Sequence, residues 1–177
     1  RESASENIYM RPEAAAALEA LFAGAAEDGL TLYATSGYRS YSTQKAIFER
    51  KLDRMSEKQA NLSVAKPGYS EHQTGLAMDI EGETTKGTGL TEAFGESPEG
   101  IWAAKHCAEY GFIIRYPKDK TKITGYIYEP WHLRYVGREA AQEITALDVT
   151  FEEYIAMVRS DRIQWLQEET QYDDQNP

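Results

Sequence analysis

Histidine occurs only at positions 72, 106 and 132, and two of the three stand in company that could hold a metal ion. His72 opens the run His72-Gln73-Thr74-Gly75-Leu76-Ala77-Met78-Asp79, and His132 closes Glu129-Pro130-Trp131-His132. A catalytic zinc takes three protein ligands from imidazole and carboxylate and leaves a further position to water. His72, Asp79 and His132 supply that count. Pro130 disfavours helical geometry at the residue before it, so Glu129 belongs to a turn entering a strand rather than to an HExxH helix. Its carboxylate is then free to reach water at the open position. Singly, each residue has a plainer role: a lone histidine is more often structural, an aspartate caps a turn, a glutamate sits solvated in a loop. Their combination points to metal-assisted hydrolysis. His106 shares a helical side with Trp102 and Tyr110, away from Ile101, Ala104 and Ala108. It reads as a surface or half-buried residue that would be a ligand only in place of Asp79.

The elements that must position these groups follow from periodicity. Residues 74–80 alternate as a strand, with Leu76, Met78 and Ile80 on one face and Gly75, Ala77 and Asp79 on the other, so small neighbours leave room beside the carboxylate for an ion and a substrate backbone. Residues 131–136 alternate likewise, Trp131, Leu133 and Tyr135 against His132, Arg134 and Val136. Upstream, Ala14, Ala17, Leu18, Leu21, Phe22 and Ala25 trace one face of a helix that Gly29 can end. A strand at 30–36 follows, then a helix at 41–55 on which Gln44 points the way of Phe48, toward the core. The stretch 56–70 has weak periodicity around Pro67-Gly68 and reads as a long connection able to cover a site. Ser97, Pro98 and Glu99 open a helix that Gly111 stops. A short strand at 112–116, a hairpin or loop at 117–125 and helices at 138–147 and 150–160 complete the chain, the last opened by a Thr150/Glu153 capping box. The ends, 1–9 and 168–177, are expected to be loose.

With 177 residues and 41% hydrophobic content, the chain suits one domain, 1–177, and two halves would each have a thin core. A net charge of −10 and a pI near 4.8 speak against nucleic acid as a partner, which requires clustered Lys and Arg. Cys107 stands alone, so it forms no internal disulfide and no CxxC site, and it reads as a small buried residue on a helix. No apolar stretch approaches the roughly 20 residues of a membrane span. The chain opens at Arg1 without an initiator methionine or signal sequence, as a mature or trimmed fragment would, and any anchor is expected upstream.

The pattern SxHxxGxAxD over 70–79, followed by ExWH over 129–132, resembles the signature of the VanY-type D-alanyl-D-alanine carboxypeptidases. Ser36-Gly37-Tyr38-Arg39-Ser40 with Gln44 is similar to that family's SGYRSxxxQ region, and Ile123-Thr124-Gly125-Tyr126 through Gly137 to its third segment. The resemblance spans roughly residues 31–137. It implies an α+β fold of the hedgehog/LAS zinc peptidase type, a small antiparallel sheet flanked by helices, with one catalytic Zn2+. It implies removal of the C-terminal D-alanine from peptidoglycan stem peptides in the bacterial cell envelope, outside the cytoplasm. By the same resemblance His72, Asp79 and His132 bind zinc, Glu129 is the catalytic base and Arg39 steadies the tetrahedral oxyanion, while Ser70 and Gln44 line the substrate pocket. Arg39, at a strand-to-helix junction, has the alternative of pairing with a structural carboxylate. The partners expected are D-Ala-terminated stem peptides, with no nucleic acid, no second subunit, and membrane contact only through an anchor outside this chain. Rival activities are an L,D-carboxypeptidase on tetrapeptide stems, or a dual enzyme, because one metal chemistry serves either bond. From another class, the rival is a catalytically silent domain that binds wall peptide, as hedgehog-type relatives of the fold suggest.

Overall fold

Alternation decides which way the central strands face. The computed structural model describes residues 8–175, those from 166 onward by their backbone alone. In it β1 (Leu32–Ser36), β2 (Ala77–Gly82), β3 (Phe112–Tyr116) and β4 (Glu129–Tyr135) form one antiparallel sheet in the order β1-β2-β4-β3. Met78, Ile80, Trp131 and Leu133 enter the main core, as their alternation requires. That core is closed by Leu18, Leu21 and Ala25 of α1 (Pro12–Glu27), and by Trp102 and Ala103 of a later helix, Pro98–His106. The architecture is the α+β type expected, a small antiparallel sheet with helices packed against it.

Local signals explain the helices. Ser40 caps α2 (Tyr41–Leu52), its hydroxyl accepting from the Thr43 N–H, and the helix buries Gln44 and Phe48. Within the 56–70 connection lies a single turn, α3 (Glu57–Ala60), held by a Ser56/Gln59 capping box. Ser97 caps α4 (Pro98–His106), which tightens into a 3-10 turn before Gly111, at φ 86°, ends it. The region expected as hairpin or loop contains one turn, α5 (Thr121–Thr124). In both regions four helical residues are too few for a periodicity to show. Beyond α6 (Arg138–Leu147), Thr150 and Glu153 exchange backbone-to-side-chain bonds of 2.8 and 3.2 Å and open α7 (Phe151–Gln175). A second cluster, Ala108, Ile113, Ala141 and Ile144, fastens α6 to the sheet, with Phe151 and Tyr154 of α7 against it.

Several boundaries differ from those expected of the sequence. The strand expected from Thr74 starts at Ala77, because Glu71–Thr74 is a 3-10 turn and Gly75 stands at φ 72°, the left-handed region. α2 ends at Leu52 rather than Met55. α7 passes the expected stop near 160 and stays helical through Gln175, where a loose tail was expected; residues 176 and 177 lie outside the described residues. The expected loose start lies outside them as far as residue 7, but Tyr9 is tied, its carbonyl accepting from the Tyr38 N–H at 2.7 Å. Cys107 is buried, and burial pushes its thiol up to about 12. Among the described residues no helix is long and apolar enough to cross a membrane.

The β3–β4 ladder carries one irregularity. Ile114 pairs with Leu133 and Tyr116 with Glu129, so Arg115 alone of β3 faces Pro130, Trp131 and His132 of β4. The surplus residues make a bulge, which bends a strand and re-aims its side chains.

α4 is pressed against the 3-10 turn Glu92–Glu96 at Gly100, where a Cβ would lie 1.8 Å from the Phe94 carbonyl oxygen. Gly100→Ala gains about 1 kcal/mol of helix propensity, but relieving a backbone clash of this kind costs about 1–3 kcal/mol. The variant is therefore expected to be less stable. Denaturant unfolding checks the sign, and an equal or higher midpoint would contradict this packing.

Candidate metal centre and hydrolytic site

Asp79 and His132 are 53 residues apart in sequence but are cross-strand partners in the β2–β4 register. His72 arrives from the 3-10 turn before β2. Its backbone carbonyl accepts from the Arg39 N–H at 3.1 Å, and its Nδ1 lies 2.8 Å from the Gly37 carbonyl oxygen. Nε2 is thereby left to face Asp79, at 3.2 Å from Oδ2. His132 approaches the same carboxylate with Nδ1, 2.9 Å from Oδ1. The two rings stand edge to face, centroids 4.9 Å apart.

Three buried groups thus offer two imidazole nitrogens and a carboxylate oxygen, all within 4.8 Å of one another. This donor set, with each residue held from behind, fits a divalent cation of the zinc type. The electrostatics agree. Burial alone would raise the Asp79 carboxyl, yet the two imidazoles overcome it and hold it well below the usual carboxylate range, so a negative charge stands ready. Burial lowers His72, whereas at His132 burial is overcome by Asp79 and Glu71, which raise it to about 9. A cation entering here must displace that proton.

The remaining predicted residues gather around the same centre. Arg39 donates from Nη2 to Asp79 Oδ2 at 3.0 Å, from Nη1 to Gln44 Oε1 at 3.1 Å and from Nε to Ser36 Oγ at 3.1 Å. It therefore does pair with a buried carboxylate, and that carboxylate belongs to the candidate metal set. Gln44 is buried and braced at both ends, its amide donating to the Ala65 carbonyl at 2.7 Å. Ser70 is buried at the entry to the 3-10 turn, and its hydroxyl has no hydrogen bond among the described residues. Glu129, three residues before His132, would leave an unbroken strand on the opposite face; with the bulge between them, both line one cavity of about 330 Å³. Its carboxylate makes no hydrogen bond or ion pair among the described residues, and burial pushes it up to about 7, where a group can both take and give a proton at neutral pH. His106 lies apart, 2.8 Å from Glu109 and stacked on Trp102.

The 56–70 connection supplies Ser63, Val64 and Ala65 to the cavity wall, as its position allowed, and Ile127 is tied to it through a 2.9 Å bond to the Leu62 carbonyl. Other lining residues had no role assigned to them from the sequence. Lys51 is half-buried at the end of α2, and its ammonium group makes no hydrogen bond or ion pair among the described residues. Tyr116 and Tyr126 stack on each other at 4.5 Å. Glu71 stands behind His132 with Arg115 and Arg134.

Comparison with known proteins gives the site a context. Residues 7–138 match the VanY family model, described as D-alanyl-D-alanine carboxypeptidase. YodJ of Bacillus subtilis (strain 168) is 51% identical over 158 residues, which are 89% of this chain and 58% of that protein, so the chain spans little more than half of that relative. Among solved structures, the LdcB LD-carboxypeptidase superposes with a TM-score of 0.81 at 51% identity, over 87% of this chain and 73% of the other. The vancomycin-resistance D,D-pentapeptidase VanY, solved with Zn(II), superposes with a TM-score of 0.72 at 37% identity, over 87% of this chain and 88% of the other. A family model covering most of the chain, two superposable folds and three converging side chains that could hold a metal agree: the chain belongs to the VanY D-alanyl-D-alanine carboxypeptidase family.

Proposed function

We propose that this chain is a zinc carboxypeptidase domain that removes the terminal D-alanine from peptidoglycan stem peptides, working as a monomer in the bacterial cell envelope. The observation that carries this reading is the convergence of His72, Asp79 and His132 in a cavity that also holds an unpaired Glu129. Zinc held by those three side chains would lower the pKa of a water molecule to roughly 7 and polarise the scissile carbonyl. Glu129 accepts the proton of the attacking water and passes it to the departing amine as the C–N bond breaks. Arg39, already held beside the cavity by Gln44 and Ser36, meets the negative charge that develops on the carbonyl oxygen.

A carboxypeptidase must also recognise a free terminal carboxylate. Several lining side chains, Ser63, Tyr116 and Tyr126 among them, make no side-chain hydrogen bond among the described residues; of this set we assign to that carboxylate the Lys51 ammonium, for its positive charge, and the buried Ser70 hydroxyl, at the entry to the turn that carries His72. Gln44 contributes by bracing Arg39 and the Ala65 wall. The family's name favours the D-Ala-D-Ala bond of a pentapeptide stem. A second reading, an L,D-carboxypeptidase on tetrapeptide stems, has its own support, since the LD-carboxypeptidase LdcB is more similar to this chain than the D,D-pentapeptidase VanY, 51% against 37% identity. A silent wall-binding domain is disfavoured by the buried, unpaired Glu129, which binding alone does not require.

Incubation with pentapeptide and tetrapeptide stems, with product masses read in the presence and absence of a chelator, tests metal and bond together. Loss of one D-alanine from the pentapeptide, abolished by chelation and restored by zinc, is the expected result; release from the tetrapeptide alone would move the assignment to the L,D bond. Glu129→Ala should retain bound zinc while kcat falls about 10²- to 10⁴-fold, and undiminished D-alanine release would remove Glu129 from the chemistry. Lys51→Ala should raise KM for the peptide with little change in kcat, the signature of lost uniform binding; an unchanged KM would place the terminal carboxylate elsewhere.

A further inference from the structure

His132 is held from both sides. On one, its Nδ1 faces Asp79 Oδ1 at 2.9 Å. On the other, its Nε2 faces Glu71 Oε2 at 3.6 Å. That separation is slightly beyond a hydrogen bond. Among the described residues, however, these two atoms are the buried side-chain polar atoms left without a partner. Each is the complement of the other, a ring nitrogen able to carry a proton and a carboxylate oxygen able to accept it. Nothing else in reach satisfies either one.

Glu71 is itself fixed. Its Oε1 accepts from Arg115 Nε at 2.8 Å and lies 3.1 Å from Arg134 Nη1. Arg115 continues to Glu152 of α7, from Nη1 at 3.1 Å and from Nη2 at 2.5 Å. Arg115 is the residue opposite the β4 bulge, and Arg134 is next but one to His132 along β4. Two cations on neighbouring strands thus hold one oxygen of Glu71 and leave the other aimed at the ring.

We propose that Glu71 is a positioning residue for His132. It accepts the Nε2 proton and so fixes the tautomer whose Nδ1 lone pair points toward Asp79 and His72, while Arg115 and Arg134 hold the carboxylate in place. This inference rests on the zinc reading of the site. Carboxylates behind metal-bound imidazoles orient the ring and raise its basicity, and their loss weakens metal binding by about 10- to 100-fold. Arg115 is also paired with Glu152 of α7, which makes no hydrogen bond or ion pair with His132 among the described residues.

The test measures zinc affinity of the whole chain by competition with a chromophoric chelator. Glu71→Ala should bind zinc about 10- to 100-fold more weakly than the parent, and Glu71→Gln, which keeps an acceptor oxygen, should recover most of that loss. Glu152→Gln also takes an ion pair from Arg115, yet should keep the parent affinity within about threefold, since it leaves the His132 contact alone. Nitrogen NMR of the zinc-loaded parent should show the His132 proton on Nε2. Native affinity in Glu71→Ala, no recovery in Glu71→Gln, or an equal loss in Glu152→Gln would overturn the proposal and make the cluster a structural ion network. Should Glu71→Ala fail to fold, a proton on Nδ1 in the zinc-loaded parent overturns it directly. A parent that binds no zinc would sink the metal reading itself, a result distinct from each of these.

Discussion

A negative charge sealed inside a protein is tolerated only where it is paired on several sides, because the cost of removing it from water exceeds what a single neighbour returns. Asp79 is such a charge, and the site is arranged around it. Its two oxygens are shared among His72, His132 and Arg39, which come from a 3-10 turn, the adjacent strand and the junction before α2. None of these segments is near another in sequence, so the carboxylate unites parts of the chain that local structure alone leaves independent. The same arrangement makes the centre a natural seat for a cation: two imidazoles and a carboxylate already face one another, and a divalent ion between them settles all three at once.

How the sheet presents these groups is a matter of its register. Facing positions on antiparallel strands put their side chains close together on one face, so the Asp79–His132 pairing fixes two of the candidate ligand positions with backbone bonds rather than with flexible loops. The bulge opposite Arg115 then solves a problem of parity. Residues three apart on a regular strand point to opposite faces, yet a hydrolytic centre needs base and ligand in one cavity. With the bulge, Glu129 and His132 line the same cavity.

Much of this was legible in the sequence, for identifiable reasons. His72 and His132 are two of only three histidines and stand in recognisable spacing with Asp79 and Glu129, and the small residues flanking Asp79 announced room beside it. Caps at Ser97 and Thr150 marked helix starts because their side chains act on the nearest N–H groups. What could not be read depends on contacts far apart along the chain. Glu71 looked like an arbitrary position inside a motif, and Arg134 like an ordinary polar residue of an alternating strand; their meeting requires a register that no window of sequence contains. Lys51, at the end of α2, lines the cavity only because the fold brings that helix end to it. The start of β2 was misplaced because Thr74 and Gly75 fit an alternating pattern, whereas Gly75 is needed for a left-handed turn.

The wall of the cavity and its floor come from different kinds of structure. Asp79, Glu129 and His132 ride on paired strands, whereas Ser63, Val64, Ala65, Leu90, Tyr126 and Ile127 belong to the connections that arch over them. A change of length or shape in those arches would alter what the cavity admits without moving the side chains carried by the strands. Divergence from one bond preference to another is then open to an enzyme of this build through drift in its rim alone, and the two differently named neighbours, one an LD-carboxypeptidase and one a D,D-pentapeptidase, stand on a shared framework of that kind.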